Sequence, residues 1–350
     1  MSARLVDFGR PTLMLRRGPF ALRFDRRTVI VCAVLAVLTV ALGFLNLMLG
    51  DYSVGIDQVA KVLTGAEDGF AQTVVVQWRA PRIVAAIVFG AAFGVAGAVF
   101  QSLTRNPLAS PDVIGFATGS YTGALVVIIW FTSAYAVVAV GALVGGAITA
   151  ATVYLLAYSR GLQGFRFIVV GIAVGAMLAS ANAWMLLVAD DEVAGAAVVW
   201  GAGSLHAIGW SQTAVACLAI VPFAAAAMVL APGLRQIEIG DDASTALGLR
   251  VERHRGMLIA VGVALTAAVT AAAGPIAFIA LAAPQIGRRL VRGAGVPLIP
   301  AAMTGALLLL AADTVAQHLL PTSPPVGIVT VVIGGGYLIW LLVVEARRRL

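Results

Sequence analysis

Ten long apolar runs dictate the architecture of this chain. They fall at residues 28–49, 83–103, 114–132, 134–158, 165–188, 211–230, 257–273, 275–290, 297–316 and 326–344. A helix needs about 20 apolar residues to cross the hydrocarbon of a bilayer. No water satisfies the backbone there, so a spanning segment must pair its own N–H and C=O groups, which a helix does. The expected fold class is therefore all-α, a polytopic transmembrane helical bundle of about ten spans. The eighth run is shorter than the others, so a tilted, broken or partly re-entrant segment is expected there. Composition agrees: 61% of the 350 residues are hydrophobic and 11% charged, too little charge to cover a soluble domain of this size.

Charge placement sets the orientation. With ten spans and both termini in the cytoplasm, inside segments carry twenty of the 23 Lys and Arg residues, and outside segments carry Lys61, Arg79 and Arg82. That asymmetry follows the positive-inside rule, and one missed span would scramble it. It also accounts for the net charge of +7 without a nucleic-acid partner. Residues 1–27 read as a basic cytoplasmic segment, and 28–350 as the membrane domain. The run after residue 27 is too long for the core of a cleaved signal and lacks a small-residue cleavage site, so a retained first span of a multi-pass protein in the cell inner (plasma) membrane is expected.

Two outside connections exceed a tight turn. In the first, Ser53, then Ile56, Val59, Val62 and Leu63, then Gly65 give a cap, one apolar face and a stop, which predicts a short amphipathic helix. The second opens with Asp190, Asp191 and Glu192. Within the spans, Gly90, Gly94 and Ala98 share a face, as do Gly115, Gly119 and Gly123, and Gly171, Gly175 and Ala179. Such spacing lets helix backbones approach closely.

Chemistry is sparse. Cys32 and Cys217 lie inside apolar runs, so no disulfide is expected. His206, His254 and His318 are scattered, without metal-ligand spacing. No phosphate-binding loop is present, so the chain does not grip ATP in the usual way. Asp313 is the one carboxylate well inside a run, near the outer end of its helix. It reads either as a helix-end partner for a neighbouring group or as part of a pathway or gate. One such residue gives thin support to an ion-coupled secondary transporter, which would call for paired polar groups at broken helices. An intramembrane enzyme lacks its nucleophile and base.

The largest inside connection, about residues 231–256, is more informative. Gly240, Asp241, Asp242, Ala243, Ser244, Thr245, Ala246, Leu247 and Gly248 read as a short helix, with Asp241 or Asp242 as cap and Gly248 as left-handed stop. Its apolar side, Ala243, Ala246 and Leu247, suits either docking into a groove on a partner or packing on its own bundle.

Several segments together resemble the FecCD family of ABC importer permeases, which handle iron-siderophores and vitamin B12. They are Arg79-Ala80-Pro81-Arg82; Gly97 to Gln101; Arg105-Asn106-Pro107-Leu108-Ala109-Ser110-Pro111-Asp112 with Gly115; Trp200 with Gly203-Ser204-Leu205; Ala246-Leu247-Gly248; Gly274-Pro275-Ile276-Ala277-Phe278; Ala283-Pro284-Gln285 with Arg288-Arg289; Ala312-Asp313; and Pro325-Val326-Gly327. They run in family order from about residue 50 to the C-terminus.

The resemblance implies that two permease chains pair around one path, that two cytoplasmic ATPase subunits use ATP and Mg while this chain binds no cofactor, and that an external binding protein delivers the ligand. It implies that the 240–248 helix seats on the ATPase, and that Arg79 and Arg82 meet acidic residues of the binding protein; interfacial anchoring is the alternative for the two arginines. Asn106, Pro107 and Gln285, which lie in these motifs, join Asp313 as pathway or gate candidates, with spans five, eight and ten as candidate moving parts. Gln285 stands where many members have His, Gln317 where some have a basic residue, and Ser323-Pro324-Pro325 where many have Glu-Leu-Pro. The Pro-Gln pair and the C-terminal run resemble the ferric-enterobactin branch, which implies a heterodimer of related permeases and a catecholate siderophore, with vitamin B12 or haem as alternative ligands.

Overall fold

The structure, a computed structural model, describes residues 12–17, 20–112, 114–158, 164–206, 208–293, 295 and 297–349. Their helices are α1 Arg26–Met48, α2 Ile56–Leu63, α3 Phe70–Thr104, α4 Phe116–Trp130, α5 Tyr135–Ala157, α6 Gly164–Val188, α7 Asp191–Gly201, α8 Trp210–Ile239, α9 Asp241–Ala246, α10 Val251–Ala273, α11 Ile279–Val291, α12 Leu298–His318 and α13 Val326–Arg349. Each of the ten apolar runs has its helix, and seven of these are long and apolar enough to cross a membrane. One departure from an all-α chain lies before the first span: β1 Thr12–Arg17 pairs antiparallel with β2 Phe20–Asp25.

The eighth span, α11, is 13 residues long because its expected start is unwound. Pro275 disfavours a helical residue before it, and α10 ends at Ala273 with Gly274 as its C-cap at φ +73°. The chain stays irregular to Phe278, itself left-handed at φ +69°. Non-helical backbone at membrane depth is tolerated where protein surrounds it, and Ile276 at the break is 1% exposed.

The central helix is α3, which packs on α12, α11, α10 and α8. Phe89, Phe93 and Phe100 are fully buried along it, beside Leu258 and Leu265 of α10 and Leu309 and Leu310 of α12. Small residues make the α3–α12 contact possible, since a Cβ on Gly90 or Gly94 would run into the backbone of Gly305 or Ala301. The expected third-span face divides between two partners. Gly119 and Gly123 face Thr149 and Gly141 of α5, whereas Gly115 lies outside the helix against Gly171 and Gly175 of α6. Apolar side chains such as Val37, Leu187 and Leu218 point outward, as hydrocarbon permits.

Near Pro81, α3 is π-wound over Thr73–Arg79. Proline has no N–H, so the Val76 carbonyl lacks a helical donor there, and the Trp210 indole donates to it at 2.7 Å. Helix α2 forms as expected, except that Gly55 rather than Ser53 occupies its N-cap. Sequence reasoning missed α7, although Asp191 and Glu192 in its first turn suit the positive end of a helix dipole. Helix α8 continues past residue 230 to Ile239, and α10 begins at Val251, so the expected long loop contracts to α9 and its flanks.

Candidate functional site

Polar side chains interrupt the apolar bundle at both ends and at the helix break. At the arginine-rich end, Arg105 caps α3 in the left-handed region at φ +51°. Its Nη2 donates to the Ile237 carbonyl at 2.7 Å and to Asp241 Oδ1 at 3.1 Å. Asp241 also accepts from Arg255 Nη2, at 3.0 and 3.1 Å, and Arg255 Nη1 reaches Glu252 at 3.0 Å. The Arg255 side chain is 7% exposed, against 52% for Arg105. Ser102 of α3 donates to Glu238 of α8. Helix α9 is thus clamped to α3 and α10 by one carboxylate.

That use of Asp241 corrects the capping expectation: the N-cap is Gly240, without a side-chain cap bond. Ser244 points inward, fully buried, and donates to the Gln236 and Gly240 carbonyls. Asp242, Ala243, Ala246, Leu247 and Gly248 face outward. Gly248 has the expected left-handed conformation, φ +85°, with open space where a Cβ would be.

At the opposite end, Arg82 of α3 meets Asp313 of α12 through two nitrogens, at 2.8 and 3.0 Å. Gln317 donates to the same carboxylate at 2.5 Å, and Arg82 Nη1 lies 3.1 Å from His206 Nδ1. The pair is sequestered, with side chains 11% and 2% exposed. Arg79 is also engaged, donating to the Leu47 and Tyr52 carbonyls at 2.8 and 2.6 Å. Asp313 thus has both Arg82 and Gln317 as partners near the end of α12.

The third cluster surrounds the break. After Arg105 the chain turns back along α11. Asn106 Oδ1 accepts from the Leu108 N–H at 2.9 Å, Gln285 Nε2 donates to the Pro107 carbonyl at 2.7 Å, and the Phe278 N–H donates to Asp112 Oδ2 at 3.3 Å. From Gln285 back to Phe278 the helix rises about 10 Å at 1.5 Å per residue, so Asp112 lies that much deeper than Pro107. Asn106, Pro107 and Gln285 are brought together here, while Asp313 stands at the far end. Asp112 is a second deep carboxylate that hydropathy does not reveal, because it precedes its apolar run. Around the same break, Ser204 N–H donates to Ala273 O at 2.7 Å and Gly327 N–H to Gly203 O at 3.0 Å. Beside it, Thr118, Tyr121, Asn182 and Pro275 border a cleft of about 350 Å³. Among the described residues no group of His, Cys, Asp and Glu is placed to hold a metal ion.

These features have close counterparts. The sequence profile of the FecCD transport family matches residues 38–344. The ferric enterobactin transport system permease protein FepG of Escherichia coli (strain K12) is 46% identical over 326 residues, covering 93% of this chain and 99% of that protein. The Fe(3+)-citrate import system permease protein YfmE of Bacillus subtilis (strain 168) is 35% identical over 330 residues, covering 93% and 98%. Among solved structures, an inward-facing conformation of an ABC transporter of metal-chelate type matches with a TM-score of 0.81 at 26% identity, covering 91% of this chain and 99% of that one.

Proposed function

The chain belongs to the FecCD transport family, and on that footing we propose that it is the membrane-spanning permease subunit of an ABC importer carrying a ferric siderophore, enterobactin-like and of the catecholate type, into the cytoplasm. The observation that carries the reading is α9. It is a short helix whose back is tied to α3 and α10 through Asp241 and whose front exposes Ala243, Ala246 and Leu247, the last 65% exposed. A rigidly mounted, outward-facing apolar helix is built to seat in a groove of another protein and to pass on its movement.

The arginine-rich end is the cytoplasmic one, following the positive-inside rule. There, two ATPase subunits bind and hydrolyse ATP with Mg, and one of them engages α9. This chain supplies no nucleotide site and no catalysis. A related second permease completes the path, and an external binding protein delivers the ferric complex at the opposite end. Arg79 and Arg82 stand at that end as its contacts, Arg82 tied to Asp313.

Transport proceeds by alternating access. Closure of the ATPase dimer displaces α9 and the adjoining turn at Asn106 and Pro107. Gln285, bonded to that turn, carries the displacement to α11, whose unwound start serves as a hinge. Helices α6, α11 and α13 then move relative to the α3–α12 core, which is locked by backbone contact at Gly90 and Gly94.

The test is uptake of radiolabelled ferric enterobactin by cells lacking this chain, complemented with wild type or Leu247→Glu, with membrane levels measured in parallel. Wild type restores uptake, and the variant inserts normally but does not. Equal uptake with and without the chain would overturn the siderophore assignment, and cobalamin and haem would then be the competing cargoes.

A further inference from the structure

We propose that Asp112 is a positioning residue that transmits displacement of α9 to the helix break at Gly274–Phe278. The inference rests on the importer reading above and adds to it a specific mechanical link. Four observations support it. Asp112 and α9 are connected through one short segment, because Arg105, which opens that segment, is bonded to Asp241 at 3.1 Å and to the Ile237 carbonyl at 2.7 Å. The segment is stiff: Pro107 and Pro111 fix two of its backbone angles, and Ala109 and Ser110 are buried. Its far end grips the hinge, since Asp112 Oδ2 accepts the Phe278 N–H at 3.3 Å. Phe278 is itself the N-cap of α11, held left-handed at φ +69°, a conformation that a bulky residue adopts only when its surroundings impose it.

The bond also has an electrostatic logic. A helix N-terminus carries partial positive charge from its unpaired N–H groups, and α11 begins inside the bundle where water does not compensate it. The Asp112 side chain turns an acceptor oxygen, Oδ2, toward that end. Its other oxygen, Oδ1, is buried without a hydrogen-bond partner. When α9 moves toward or away from the membrane, the 106–112 segment follows, and Asp112 shifts the N-terminus of α11 with it.

The experiment uses the complete transporter in proteoliposomes, with the permease pair, ATPase subunits and binding protein, and radiolabelled ferric enterobactin as probe. Complex assembly, ATP hydrolysis and uptake are measured for wild type, Asp112→Ala, Asp112→Leu and Asp112→Asn. Ala and Leu remove the accepting oxygen, whereas Asn keeps one. The Ala and Leu complexes are expected to assemble and hydrolyse ATP but to import about tenfold less solute per ATP, the scale of one buried hydrogen bond, and Asn to restore most of the coupling. The proposal is overturned if Ala and Leu keep the wild-type ratio, if they fail to assemble while Asn assembles, or if Asn is as uncoupled as Ala. A wild-type complex that hydrolyses ATP without importing overturns the importer reading itself, an outcome distinct from all three.

Discussion

Arg82 lies across the carboxylate of Asp313, Nη2 to Oδ1 at 2.8 Å and Nε to Oδ2 at 3.0 Å, and joins α3 to the last turns of α12. The α3 end of this link lies just past the π-wound segment, twelve residues into the helix, and two-point pairing of this kind fixes geometry as well as charge. Because the pair is nearly excluded from solvent, removing one partner strands the other. Single Arg82→Ala and Asp313→Ala substitutions should each cost about 3–5 kcal/mol. The double substitution should cost less than the sum, since neither charge is then left alone. Thermal unfolding of the purified protein in detergent, with the two single variants and the double variant side by side, checks this; strict additivity would contradict it.

The two arginines on Asp241 should differ in weight. Arg105 is half exposed and Arg255 nearly buried. An exposed pair contributes about 0–1 kcal/mol, while a buried arginine also fills volume with its aliphatic stem. Arg255→Ala should therefore lower stability more than Arg105→Ala. Asp241→Ala should loosen α9 from its mounting and reduce uptake with ATP hydrolysis retained. Equal effects of the two arginine substitutions on thermal stability would contradict the first part, and unchanged uptake in Asp241→Ala the second.

Gly248 stops α9 in the left-handed region with open space around it. Gly248→Ala meets no steric obstacle and should cost only the conformational term, about 1–2 kcal/mol. Gly94→Ala, with a Cβ driven into the Ala301 backbone, should cost more, because α3 and α12 must separate along their length. Comparing the yield of monodisperse protein for the two variants separates conformational strain from collision; a greater loss at Gly248 would reverse the account.

Trp210→Phe should remove the indole donor from the Val76 carbonyl and leave that acceptor unpaired at the Pro81 break. The expected cost is about 1–3 kcal/mol. Amide hydrogen exchange around the π-wound segment should rise in the variant, and unchanged exchange would contradict the assignment.

The spans were legible because lipid imposes a requirement that shows in composition alone: about 20 consecutive apolar residues. Gly248 was legible because few residues but glycine adopt its backbone conformation readily. Asp241 was placed in the right helix but given the wrong task. Its partners, Arg105 and Arg255, come from segments distant in sequence, and local capping patterns carry no information about them. Arg82 was noted as an exception to the positive-inside rule, yet its engagement with Asp313 depends on the register of α3 against α12, which the glycines at 90 and 94 set. The depth of Asp112 was hidden altogether. It precedes its apolar run, and only the turn of the 105–112 segment back along α11 brings the carboxylate to Phe278.

The most direct test of the central claim is ATP-dependent uptake by the reconstituted transporter. Proteoliposomes holding this chain, its partner permease and the ATPase subunits would be given ferric enterobactin on its binding protein, with ATP on the α9 side, and an uncoupler in a parallel sample. The account predicts uptake that requires ATP and is unaffected by the uncoupler. Uptake that proceeds without ATP and collapses with the uncoupler would contradict it and identify an ion-driven carrier instead.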